Sequence, residues 1–136
     1  RAYWSYDPLL AGNAHLNLNL LGARVVEYVE DMYGDEIQGT AGSDRFVVEW
    51  ALETPAPPVE AAPVVVRVGD EGLPEGAVVG VAIPQDFSGL AGSDPALARR
   101  WRTATRRALT HYLGAGYRVA GFRRDDPPHY VMEVGG

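Results

Sequence analysis

Residues 94–122 read DPALARRWRTATRRALTHYLGAGYRVAGF, and the fold class turns on this stretch. Asp94 followed by Pro95 is a helix start, because a carboxylate at the cap accepts from the free first-turn amides and proline suits the first helical position. Leu97, Trp101, Ala104, Ala108 and Tyr112 then recur every three or four residues, while Arg99, Arg100, Arg102, Arg106 and Arg107 fall on the other side. Gly114 or Gly116 stops the helix, and residues 117–122 read as a strand. The spacing predicts a helix over 94–113 that buries Trp101, Ala108 and Tyr112.

Working outward, a turn at residues 125–128 leads to a strand over 129–134, and two valine-rich strands precede the helix, over 64–68 and 77–83. The glycine and acid cluster between them, residues 69–76, reads as a hairpin loop. Upstream, residues 54–63 hold Pro55, Pro57, Pro58 and Pro63 among alanines, the composition of an extended linker. The first part of the chain offers strands over 2–6, 24–29 and 45–52. Between the first two, Asn13 is a candidate cap for a helix over 13–21 that buries Leu16 and Leu20 and stops at Gly22. Trp4 and Val47 complete the expected core.

Overlaying the two parts exposes an internal repeat. One helix ends in Leu21-Gly22-Ala23-Arg24-Val25 and the other in Ala115-Gly116-Tyr117-Arg118-Val119; the closing strands are Arg45-Phe46-Val47-Val48-Glu49-Trp50 and His129-Tyr130-Val131-Met132-Glu133-Val134. The expected architecture is α+β: a strand-helix-strand-strand unit over 1–53, a linker over 54–63 and a similar unit over 64–136. The two principal helices would pack on one face of a mainly antiparallel sheet. Chance similarity of amphipathic elements is the competing account of the repeat.

Composition excludes several classes. The 136 residues are 46% hydrophobic and 22% charged, proportions of a globular domain. There is no cysteine, which removes disulfides, thiolate metal sites and a cysteine nucleophile. His15, His111 and His129 stand far apart with no ligand spacing, so no metal is expected. The net charge of −6 argues against nucleic acid. No apolar run approaches a membrane span, and a cytoplasmic protein is expected. All 12 basic residues are arginine, so a lysine base or Schiff base is excluded. Ten acids and 3 arginines fall in residues 1–60, against 8 acids and 9 arginines thereafter.

Trp4-Ser5-Tyr6-Asp7-Pro8-Leu9, Asn13-Ala14-His15-Leu16-Asn17-Leu18, Leu21-Gly22-Ala23 and Asp44-Arg45 through Glu49-Trp50 resemble a family of bacterial predicted N-acetyltransferases of the GNAT superfamily. Asp94-Pro95, Leu97-Ala98, Trp101-Arg102 and Gly116-Tyr117 are similar to the same family's C-terminal segment, so the resemblance spans nearly the whole chain. It implies the C-terminal half of a GNAT fold, acetyl-CoA as cofactor and acetyl transfer to an unidentified amine. The superfamily's Q/R-x-x-G-x-G/A turn, whose amides hold the cofactor pyrophosphate at a helix N-terminus, does not occur in the sequence. The expectation is that the N-terminal half lies outside this chain and that the chain alone is inactive. A non-catalytic binding or assembly module is the alternative.

Under the resemblance, the tyrosine acid lies four residues before the helix-ending glycine, a place held by Leu18 in the first unit and by Tyr112 in the second. Core packing is the other reading of Tyr112. His15 is a candidate base, or a structural histidine. Asn13 and Asn17, one helical turn apart, are candidates for the cofactor's pantetheine or phosphate arm, with capping as the plainer account of Asn13. Tyr6, Asp44 and Arg45 are candidates for substrate contact, with Asp44 and Arg45 alternatively forming an ion pair. The five-arginine face is a solvated surface, a coenzyme A phosphate site or a partner for the acidic first half of the chain. A strand at residues 2–6 with an open edge predicts a homodimer or docking on a separate N-terminal fragment.

Overall fold

The computed structural model describes residues 2–30, 44–50, 59–70 and 72–135. In order these form β1 (Ala2–Tyr6), α1 (Ala11–Ala14, continued by a wider turn over His15–Leu20), β2 (Arg24–Val29) and β3 (Arg45–Trp50), followed by β4 (Val65–Val66), β5 (Val78–Ala82), α2 (Phe87–Ser93), α3 (Pro95–Gly114), β6 (Tyr117–Arg123) and β7 (His129–Val134). The protein is a mixed α and β fold with two sheets among the described residues, ordered β1-β3-β2 and β4-β5-β7-β6. Every strand pair is antiparallel except β4 with β5.

The second unit adds β4 and a second helix, but β5, the helices, β6 and β7 follow the order of β1, α1, β2 and β3. In each, the last strand sits between two earlier ones, β3 between β1 and β2 and β7 between β5 and β6, and the registers correspond: Arg24 faces Glu49 and Val25 faces Val48, as Arg118 faces Glu133 and Val119 faces Met132. Both second strands slip by one residue, between Val25 and Glu27 and between Val119 and Gly121. A bulge resets the two-residue alternation. It lets Val119 and Phe122, three positions apart, both be buried. The equivalent arginine–glutamate pairs close at 2.9 Å (Arg24–Glu49) and 3.5 Å (Arg118–Glu133). Gly22 (φ 69°) and Gly116 (φ 94°) stop the two helices in the left-handed region that a side chain would strain.

Tyr6, Phe46 and Val48 from the first sheet meet Val79, Val81, Phe122, Tyr130 and Met132 from the second in one core. Its centre is aromatic: Phe46 stands edge-on to Tyr130 with ring centroids 5.1 Å apart, and Tyr28–Phe46 (5.6 Å) and Phe122–Tyr130 (5.2 Å) repeat one contact in the two units. Strand alternation puts Phe46 and Val48 inward, so Val47, expected in the core, is only half-buried. Trp4 and Trp101 are also half-buried, while Ala108 and Tyr112 are fully buried.

α3 follows its sequence signals closely. The Asp94 carboxylate accepts from the Leu97 N–H (3.2 Å), and Pro95 opens the helix. α2, capped by Asp86 through the Gly89 N–H (3.0 Å), is absent from the sequence expectation. α1 departs further. It begins at Ala11 with Leu10 at its cap, so Asn13 lies inside the helix. The Leu21 N–H bonds the Leu16 carbonyl five residues back (2.9 Å). That wider turn breaks the 3.6-residue spacing: Asn17 and Leu18 are buried, and Leu16 (45%) and Leu20 (58%), expected in the core, are exposed. The β4–β5 pairing is parallel, so residues 69–76 are not a hairpin loop as expected. The proposed linker falls partly outside the described residues; its described end, from residue 59, lies along the second sheet.

Candidate functional site

The polar groups with the most defined geometry lie on the seam where the two units meet. The turn after β1 carries Asp7, whose Oδ1 accepts from the Leu9 N–H (3.0 Å) and so fixes the carboxylate. Arg102, in the middle of α3 and 4% exposed, grips Asp7 with both terminal nitrogens at 2.8 and 2.6 Å and lies 5.1 Å from the Phe87 ring centre. One turn further along α3, Arg106 donates from Nε (2.9 Å) and Nη2 (2.6 Å) to Asp44, which is fully buried at the start of β3. The Tyr28 hydroxyl donates to the same carboxylate, and Glu30 lies 3.4 Å from Arg106 Nε. Two forked ion pairs therefore tie α3 to the acidic first unit. Of the three readings of the arginine face, pairing with the first half of the chain describes Arg102 and Arg106; Arg99, Arg100 and Arg107 are exposed.

Beside these pairs, the Tyr130 hydroxyl donates to the Pro8 carbonyl (2.6 Å) and lies 3.1 Å from the Tyr6 hydroxyl. Burial pushes the Tyr6, Tyr28 and Tyr130 phenols well above their ordinary range, and for Tyr28 the bond to Asp44 adds to the effect. These phenols stay protonated at neutral pH and act as fixed donors.

The sequence-predicted residues fall in three places. Tyr6 and Asp44 lie on the seam. Arg45, next to Asp44, is directed across the sheet to Ser5, donating to its carbonyl (2.9 Å) and its hydroxyl (3.2 Å). Asn13, His15 and Asn17 lie on α1. Asn17 is buried with its amide engaged at both ends: Oδ1 accepts from the Trp4 indole (2.5 Å) and Nδ2 donates to the Asn13 carbonyl (2.8 Å). The second indole, Trp50, holds the helix end through the Leu21 carbonyl (2.7 Å). Asn13 is exposed, and the half-buried His15 meets the Asn19 amide at Nδ1 (2.9 Å). Tyr112 lies in the third place, buried near the end of α3, with its hydroxyl donating to the Pro74 carbonyl (2.7 Å) and its ring against Tyr117 (4.9 Å). Burial raises its pKa as well.

Sequence reasoning had Arg102 and Arg106 only as members of the five-arginine face, with the acidic first half as one candidate partner, and missed Tyr28 and Tyr130 on the seam. Among the described residues no group of three His, Asp or Glu side chains is placed to hold a metal, and no helix is long and apolar enough to cross a membrane. A cleft of about 720 Å³ opens elsewhere, between residues 59–64, β5, β6 and β7, with Glu60, Glu75, Arg118 and Glu133 on its walls. It contains none of the sequence-predicted site residues. Comparisons with protein-family models, curated proteins and solved structures return no match for this chain.

Proposed function

We propose that the chain is the C-terminal part of a bacterial, cytoplasmic GNAT-type N-acetyltransferase, whose parent protein moves an acetyl group from acetyl-CoA to an unidentified amine. The observation that supports this most is the strand-helix-strand-strand order with the last strand in the middle, formed twice with one register. The resemblance implies such a half-fold. The seam gives the unit its rigidity, since a base or an acid acts only if its donor and acceptor are held in place. On α1, Asn13 and His15 are the candidate residues with surface left to meet a ligand. Asn17 would act by holding the helix through Trp4, and Tyr112 by holding the segment at Pro74.

The sequence lacks the Gly-rich pyrophosphate turn, and the chain alone is therefore expected to release no thiol from acetyl-CoA with any amine acceptor. Binding is the sharper test. In ¹⁵N-resolved NMR, millimolar acetyl-CoA should shift the amides of residues 11–17 and leave β6 and β7 unmoved. No shift on α1 would overturn the cofactor assignment. The second reading, a non-catalytic assembly module, is favoured by the commitment of Asn17 and Tyr112 to bonds within the fold. It predicts a homodimer or docking on a separate N-terminal fragment. Light scattering at micromolar concentration should then show an assembly that survives added salt.

A further inference from the structure

Residues 59–64 lie on the face of the second sheet opposite α3, and two glycines make room for them. A Cβ on Gly121 would stand 2.8 Å from a Val59 methyl, and one on Gly80 would stand 3.0 Å from the Ala62 Cβ and 2.9 Å from the His129 ring. Among the described residues, three polar contacts hold the segment. Arg123 Nη1 donates to the Val59 carbonyl (3.1 Å), the Ala62 N–H donates to His129 Nε2 (3.4 Å), and the Gly80 N–H donates to the Val64 carbonyl (2.8 Å).

The middle contact depends on protonation. His129 is 3% exposed, and its Nδ1 lies 3.0 Å from the Pro127 carbonyl, which can only accept. Nδ1 therefore carries the proton and Nε2 presents a bare lone pair to the Ala62 N–H. An imidazolium would set an Nε2–H against that N–H, donor facing donor, in a site closed to water. The elements around the ring offer little compensation. Arg123, the cross-strand neighbour on β6, is cationic and paired with Asp125 at 3.1 Å. The turn before β7 also holds Arg124 and Asp126, both exposed, the segment's one charged residue, Glu60, is exposed, and β5 presents Gly80 and Ala82.

We propose that residues 59–64 form a strap that His129 releases from the sheet when its ring takes up a proton. Release widens the 720 Å³ cleft and uncovers Gly80, Gly121 and Val131 on the outer face.

Amide hydrogen exchange on the full chain, corrected for intrinsic rates, tests this. The protection of the Ala62 amide should fall as the pH is lowered, by at most about tenfold per pH unit, the limit for one proton. The Met132 amide at the centre of the sheet should hold its protection. In His129→Gln, whose side-chain oxygen accepts a hydrogen bond without titrating, Ala62 should be indifferent to pH. Should that variant not fold, Ala62→Pro removes the N–H that His129 Nε2 accepts, and the pH-dependent shift of the Val59 methyl resonances seen in the parent chain should vanish. Constant Ala62 protection in the parent chain, an equal fall in His129→Gln, an unchanged Val59 titration in Ala62→Pro, or a parallel loss at Met132 would each overturn the strap.

Discussion

Replacing Arg102 by methionine asks how much the seam contributes. The substitution keeps an apolar side chain of similar length on α3 and deletes the guanidinium that meets Asp7 at 2.8 and 2.6 Å. Breaking a buried pair from one side costs about 3–5 kcal/mol, because the remaining charge keeps its desolvation penalty. Asp7 retains 17% side-chain exposure and its bond from the Leu9 N–H, so it is better placed than a fully buried orphan. That puts the loss at the lower end, about 3 kcal/mol including the stacking on Phe87, or roughly a 10 °C fall in Tm. Guanidinium chloride denaturation followed by tryptophan fluorescence measures it, and Asp7→Asn completes a double-mutant cycle. The double variant should recover about 2 kcal/mol relative to the sum of the singles. A loss below about 1 kcal/mol with additive singles would mean the pair behaves as a surface salt bridge, and the seam would not hold the units together.

Alkaline titration gives a second expectation. Tyr6, Tyr28 and Tyr130 have pKa values raised by folding, so the native state holds protons that the unfolded chain loses near pH 10; their stabilisation is full below that pH and drains above it, by about 4 kcal/mol per pH unit for three groups. Absorbance at 295 nm should show these phenols ionising together with loss of near-UV circular dichroism, and a smooth titration of all 7 tyrosines with the fold intact would contradict it. The Thr105 hydroxyl is buried with no hydrogen-bond partner among the described residues. Thr105→Val should therefore be neutral or stabilising by about 1 kcal/mol in urea denaturation, and a clear destabilisation would reveal a hidden partner. Gly121→Ala puts a methyl 2.8 Å from Val59 and should cost about 1–3 kcal/mol, read by thermal denaturation; no change would mean that residues 59–64 yield freely.

What could be read from sequence followed the range of the forces involved. Asp94-Pro95, the apolar stripe behind it and the two helix-stopping glycines are local signals, and the structure has a helix over Pro95–Gly114 and positive φ at Gly22 and Gly116. The α1 stripe misled because its spacing presumes 3.6 residues per turn, while the Leu21-to-Leu16 hydrogen bond winds wider and turns Leu16 and Leu20 outward. α2 is only seven residues long and carries little periodicity. Trp101 lines the same stripe as Ala108 yet is half-buried, since neighbours and not spacing decide how deeply a large ring sinks. The Asp7–Arg102 and Asp44–Arg106 pairs join residues 95 and 62 positions apart, and no local pattern distinguishes such arginines from those left in water. Tyr6, Asp44 and Asn17 were legible as polar groups worth attention, but what each one bonds is a property of the assembled core.

The order of strands within each sheet bears on how the chain comes off the ribosome. In both units the strand synthesised last lies between two earlier ones, so β1 and β2, and later β5 and β6, emerge with no antiparallel partner until β3 or β7 follows. The first unit can close as soon as Arg45–Trp50 is free, yet its Phe46 face then waits for Tyr130, and Tyr6 waits for a hydroxyl 124 residues downstream. A nascent chain stalled just short of β7 would display an unfilled aromatic surface and two unpaired strand edges together, the profile that recruits chaperones and invites aggregation. Exposure of residues 129–134 outside the ribosome should therefore be the step that converts the chain from a protease-sensitive form to a resistant one.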